Sequence, residues 1–106
     1  MTLEDLKKIK LLQTRSVAEA MTKDEKTFAY VADCVNRFWA GDYGEVPTED
    51  TDANNNDLSC GYGHVLAHYK QAYELTNDIY IEAHFDKDNL NDIDYTQTLV
   101  MYVDER

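Results

Sequence analysis

Between residues 24 and 40, apolar side chains recur every three or four positions. Phe28, Val31, Ala32, Val35, Phe38 and Trp39 therefore share one face of a helix. The run Thr22-Lys-Asp-Glu25 has the form of a capping box, with Thr22 as N-cap and Glu25 at the third helical position. Gly41 follows the last periodic residue and suits a left-handed C-cap. From Gly61 onward the period falls from about 3.6 to 2. Val65, Ala67 and Tyr69 alternate with His64, Leu66 and His68; Ile79, Ile81, Ala83 and Phe85 alternate with Tyr80, Glu82 and His84. Leu99, Met101 and Val103 alternate with Val100 and Tyr102. These three stretches predict strands, joined across polar gaps at Thr76-Asn77-Asp78 and at residues 86–94.

The remaining segments are weaker. Lys8 to Arg15, which alternates only over Lys8 to Leu11, reads as a short strand in preference to a helix end. Residues 16–21 have length for one helical turn. Pro47-Thr48-Glu49-Asp50 reads as a second helix start, with Thr48 as cap and the acids in the first turn, where the helix dipole favours them. That helix is expected to fade at Asn54-Asn-Asn-Asp57, because Asn and Asp compete for backbone hydrogen bonds outside helices. The predicted architecture is α+β. A three- or four-stranded antiparallel sheet packs on one main helix, about 24–40, with a short second helix beside it. Eight tyrosines suit such a sheet, with rings half-buried and hydroxyls at the rim.

A chain of 106 residues makes one domain, 1–106. Its 43% apolar and 29% charged content is ordinary for a globular protein. The charge is not. The net value is −11, and it is unevenly placed. Residues 1–26 carry six bases and five acids (+1), whereas residues 27–106 carry four bases and sixteen acids (−12). From Asp42 to Asp57 there are six carboxylates and no Lys or Arg. Residues 86–94 add Asp86, Asp88, Asp92 and Asp94 against Lys87 alone. Such a surface repels nucleic acid and anionic membranes, and it suits a basic protein partner. No apolar run approaches the ~20 residues that span a bilayer, and the first residues lack the apolar core of a signal peptide. The expected location is cytoplasmic. Cys34 and Cys60 make no disulfide framework, and Cys34 falls on the apolar side of the predicted helix as a buried thiol.

Familiar chemistry is missing. Asp50 to Gly61 begins like a calcium loop, but Asn55 stands at the sixth position and Gly61 at the twelfth, where Gly and Glu are required. Cys60, His64 and His68 are four apart, about 13 Å per step along a strand, too far to share one metal ion. Gly61-Tyr-Gly63 is too short for a phosphate loop. No metal, cofactor or catalytic set is assigned, and the chain is expected not to be an enzyme.

The stretch from Phe28 to Asn54 carries a recognisable arrangement: Arg37, Phe38, Gly41, Asp42, Tyr43, Gly44, Glu49, Asp50 and Asn54. It resembles a family of small proteins encoded on bacterial plasmids, prophages and conjugative elements. In those proteins a capped helix ends in Arg-aromatic or Arg-His. Gly-Asp-aromatic-Gly follows, then an acidic pair and Asn. Relatives usually carry Trp where Tyr43 stands, and their C-terminal tail differs. The resemblance implies a mobile-element setting and supplies no mechanism. Together with the acidity, it suggests a counter-defence protein of the anti-CRISPR or antirestriction type that engages the basic surface of a host nuclease. The residues expected to contact such a partner are Asp42, Tyr43, Glu45, Glu49, Asp50, Asp52, Asp86 and Asp88. Two other readings stand beside it. One is a small nucleotide-binding or enzymatic protein with a pocket among the tyrosines and histidines of residues 62–73. The other is an acidic structural protein of the element.

Overall fold

The computed structural model describes residues 1–70 and 78–106. The expected turn at Thr76-Asn77, and Tyr73 of the candidate pocket lining, lie outside the described residues. Among the described residues four α-helices accompany a four-stranded sheet, in the order α1 (Leu3–Lys7), β1 (Leu11–Gln13), α2 (Arg15–Lys23), α3 (Glu25–Trp39), α4 (Thr48–Cys60), β2 (Tyr62–Tyr69), β3 (Ile79–Asp86) and β4 (Gln97–Tyr102). A 3-10 turn, Val103–Glu105, closes the chain. Among the described residues no helix is long and apolar enough to cross a membrane.

The fold is α+β, as the change of period predicts. The sheet is mixed, however, and not purely antiparallel. Its order is β1-β4-β3-β2; β2 and β4 each run antiparallel to β3, while β1 lies parallel to β4. Leu12 pairs with Leu99, a partner 87 positions away, so local alternation carries no trace of that register. The inward face of the sheet presents Val65, Ala67, Tyr69, Ile79, Ile81, Ala83, Phe85 and Val100, all buried. Leu6, Val17, Val31, Cys34, Val35 and Phe38 from the helices complete this core.

Main helix α3 occupies almost its predicted span, but two details differ. Its N-cap is Asp24, whose carboxylate accepts from the Lys26 N–H at 2.9 Å. Thr22 instead lies inside α2 and bonds back to the Ala18 carbonyl at 3.0 Å, so the expected capping box does not form. Phe28 is also 56% exposed, because the buried stripe runs through Thr27, Val31, Cys34, Val35 and Phe38. Helix α4 is longer than expected and does not fade at Asn54. Pro47 is its N-cap, Thr48 is its first residue, and no side chain caps it. Asn54 and Leu58, one turn apart, are its buried residues.

Candidate functional site

The C-terminal end of α3 builds the first part of the acidic segment. Gly41, at φ +82°, closes a Schellman turn in which its N–H bonds the Phe38 carbonyl and the Asp42 N–H bonds the Arg37 carbonyl. That turn brings Asp42 back to Arg37. The guanidinium meets the carboxylate at 2.7 and 3.3 Å, and the same carboxylate accepts from the Gly44 N–H at 3.1 Å. The Arg37 hydrogen bond, then that of Gly44, holds the Asp42 carboxyl below its ordinary range. Arg37 also lies over the Tyr69 ring, 4.9 Å from its centre, and the Tyr69 hydroxyl donates to the Asp42 carbonyl at 2.8 Å.

Residues 43–45 then run beside β2. His68 N–H donates to the Tyr43 carbonyl at 3.0 Å, and the Glu45 N–H donates to the His68 carbonyl at 2.6 Å. Gly44 sits between them at φ +73°, and a Cβ there would lie 2.1 Å from the His68 oxygen. Only glycine fits so close to another backbone. Helix α4 continues the same edge with side chains. The Asn54 amide donates to the Leu66 carbonyl at 2.8 Å and accepts from the Leu66 N–H at 3.1 Å, while the Asp57 carboxylate accepts from the His64 N–H at 3.1 Å. His64, Leu66 and His68 are the residues whose backbone groups point away from β3. An edge that would otherwise template strand addition is thereby occupied at His64, Leu66 and His68.

The proposed contact residues fall into separate places. Tyr43 is 3% exposed, its ring edge-on to Phe38 at 6.1 Å, so it is a core residue that offers no surface to a partner. It is removed from the candidate contacts for that reason. Asp42 is exposed but engaged by Arg37. Glu45, Glu49, Asp50 and Asp52 are exposed and form no salt bridge among the described residues. Asp86 is half-buried and spends its carboxylate on the Asp88 N–H and the Asn89 amide, both at 2.9 Å, which lowers its pKa. Asp88 is exposed. The two acidic zones do not merge. Lys87 N–H bonds the Gly61 carbonyl, so the 86–94 loop begins at the C-terminal end of α4. Glu49 stands at the other end, about 18 Å away at 1.5 Å per residue.

No family model, curated protein or solved structure matches this chain. Among the described residues no three His, Cys, Asp or Glu side chains come together to hold a metal ion. The 50–60 stretch is helical, which closes the calcium-loop comparison. Cys34 is fully buried, with its thiol pushed up to about 11 by burial. Sequence reasoning missed one group. Tyr62, Leu90, Ile93 and Tyr95 are exposed by 69%, 42%, 43% and 54% around the second acidic zone. The available signal was three apolar residues, Leu90, Ile93 and Tyr95, set within an otherwise polar, acidic loop.

Proposed function

We propose that this chain is a non-enzymatic acidic binding protein of a mobile genetic element. It inhibits a bacterial defence nuclease, of the kind that anti-CRISPR and antirestriction proteins target, by engaging the nuclease's basic nucleic-acid-binding surface. The observation that carries the reading is the row of exposed acids Glu45, Glu49, Asp50 and Asp52, none of which forms a salt bridge among the described residues. They stand on an edge whose backbone is already closed, so a partner meets carboxylates and not an open strand. Carboxylates left unpaired in this way lose little on meeting Lys and Arg of a partner, and they steer its approach. The mobile-element resemblance of residues 28–54 supplies the setting, and a basic nucleic-acid channel supplies the complementary charge.

The test is capture of a host nuclease on the tagged protein at low salt, followed by competition with duplex DNA and by inhibition of cleavage. A nuclease that DNA displaces, and whose binding weakens in a Glu49→Gln, Asp50→Asn, Asp52→Asn variant, is the expected result. Capture that neither DNA nor neutralisation alters refutes the reading. The nucleotide-binding alternative gains no support from the cleft beside Tyr62 and His64, because Asp86 and Asp94 line it too and repel phosphate.

A further inference from the structure

Two of the five exposed large apolar or aromatic side chains among the described residues, Tyr62 and Tyr95, meet at one end of the sheet. An open cleft of about 420 Å³ lies there, between the paired ends of β2 and β3 and the following loop. Tyr62, His64, His84, Asp86, Asp94 and Tyr95 line it. We infer that this cleft is the anchoring site for an arginine side chain of a basic partner, while the row of acids on α4 supplies the longer-range attraction. The inference rests on the reading of the chain as a binder of a basic protein and names the site where that binding is decided.

Chemistry and position both favour an arginine. A guanidinium is planar and weakly hydrated; it stacks on an aromatic face and forks onto a carboxylate. The cleft offers both. Tyr62 and Tyr95 are more than half exposed, unlike the buried Tyr43, Tyr69 and Tyr102. Asp86 is tied into its own loop, but it still contributes charge. Among the described residues the Asp94 carboxylate accepts no hydrogen bond and forms no salt bridge; only its N–H is used, donating to Asp92 at 3.0 Å. The one base of the loop, Lys87, forms no salt bridge with these acids, and its alkyl stem lies along Gly61. The cleft therefore keeps its negative sign. His64 and His84 stand directly opposite each other across β2 and β3. They form a pair without mutual backbone hydrogen bonds, the closer kind of cross-strand neighbour, and give the cleft a flat polar floor. Exposed aromatics with carboxylates beside them have the composition of an interface centre with a charged rim. The acids on α4 have no such apolar neighbours: the helix buries only Asn54 and Leu58, both turned inward.

The test uses the whole chain, labelled with ¹⁵N, titrated separately with octa-arginine and octa-lysine peptides at low salt and followed by amide shifts. The expected result is a set of shifts centred on Tyr62, His64, His84 and Tyr95, with the arginine peptide binding several-fold tighter than the lysine peptide. The Tyr62→Ala, Tyr95→Ala double variant weakens the arginine peptide roughly tenfold. The Tyr62→Phe, Tyr95→Phe variant keeps the ring faces and the affinity. Both positions are exposed, and unchanged amide spectra of the free variants check that the fold persists. Shifts centred on residues 49–52, or equal affinity for both peptides with no effect of the alanine variant, overturn the cleft as anchor while leaving an acidic binder of basic proteins standing. Failure of both peptides to bind at low salt overturns both readings.

Discussion

Replacing Asn54 by alanine tests the most economical device in the molecule. The side chain is 4% exposed, and its amide satisfies both backbone groups of Leu66 on the outer edge of β2. Each hydrogen bond contributes about 1 kcal/mol net, and a buried group left unpaired costs about 1–3 kcal/mol. Leu66 is half-buried, so water reaches the vacated edge in part and the penalty falls toward the lower figure. Alanine is the better helix former by roughly 0.7 kcal/mol, which offsets some of the loss. The net destabilisation is therefore about 2–3 kcal/mol, a large share of the roughly 5–15 kcal/mol typical of a domain. In a domain of this size that lowers the melting temperature by roughly 10–20 °C. Urea denaturation gives the free energy directly, and amide exchange locates it. The Leu66 amide is expected to lose protection while Val65 and Ala67, whose N–H groups face β3, keep theirs at low urea. The Asn54→Asp variant retains the acceptor and loses the donor, so it is expected to be no more stable than alanine. An alanine variant within about 0.5 kcal/mol of the parent, with Leu66 still protected, refutes the clamp.

Three further outcomes are expected. Gly44→Ala places a methyl group against the His68 carbonyl at a positive φ, so it is expected to cost about 2 kcal/mol or more and to expose the Glu45 and His68 amides to exchange. Asp42 has its pKa lowered by Arg37, so the pair's contribution is present above the ordinary carboxyl value of 3.8 and is lost as pH falls below it. The pair is exposed, and Asp42→Asn is therefore expected to remove only about 0.5 kcal/mol near neutral pH and to flatten the acid limb of a stability-against-pH curve. A thiol reagent at neutral pH is expected to label one cysteine of the folded protein, the exposed Cys60, and to reach Cys34 only in denaturant; mass spectrometry of labelled peptides reads this out.

What the sequence makes legible follows from the range of the forces involved. Helix α3 and strands β2, β3 and β4 are visible because each buries one face continuously, and burial writes its period into the chain. The parallel seat of β1 on β4 is invisible, since three residues paired across 87 positions leave no local pattern. Propensity alone stops helix α4 at its asparagines. The helix continues because Asn54 finds in Leu66 the backbone partner that it would otherwise seek locally. Within the candidate site, exposure of Glu45, Glu49, Asp50 and Asp52 follows from their charge. Burial of Tyr43 does not: it is one aromatic residue in a turn, with no periodic neighbours, and it is drawn in by the Phe38 ring and the Gly44–His68 contact. The exposed ring of Tyr62 is legible in hindsight from phase alone, since Tyr62 falls on the even-numbered, outward positions of β2.

The clamp between Asn54 and Leu66 also has a consequence for divergence. Asn54 reads peptide groups and never the leucine side chain. Position 66 is therefore free to change its side chain without disturbing the contact, while position 54 is held to an amide. The same one-sidedness applies to Gly44 against the His68 carbonyl. Paired substitution, the usual evolutionary trace of two residues in contact, is absent by construction from these places. Homologues of this chain would therefore show fixed residues at 44 and 54 facing variable side chains at 68 and 66, and coupling statistics would leave these two contacts unconnected.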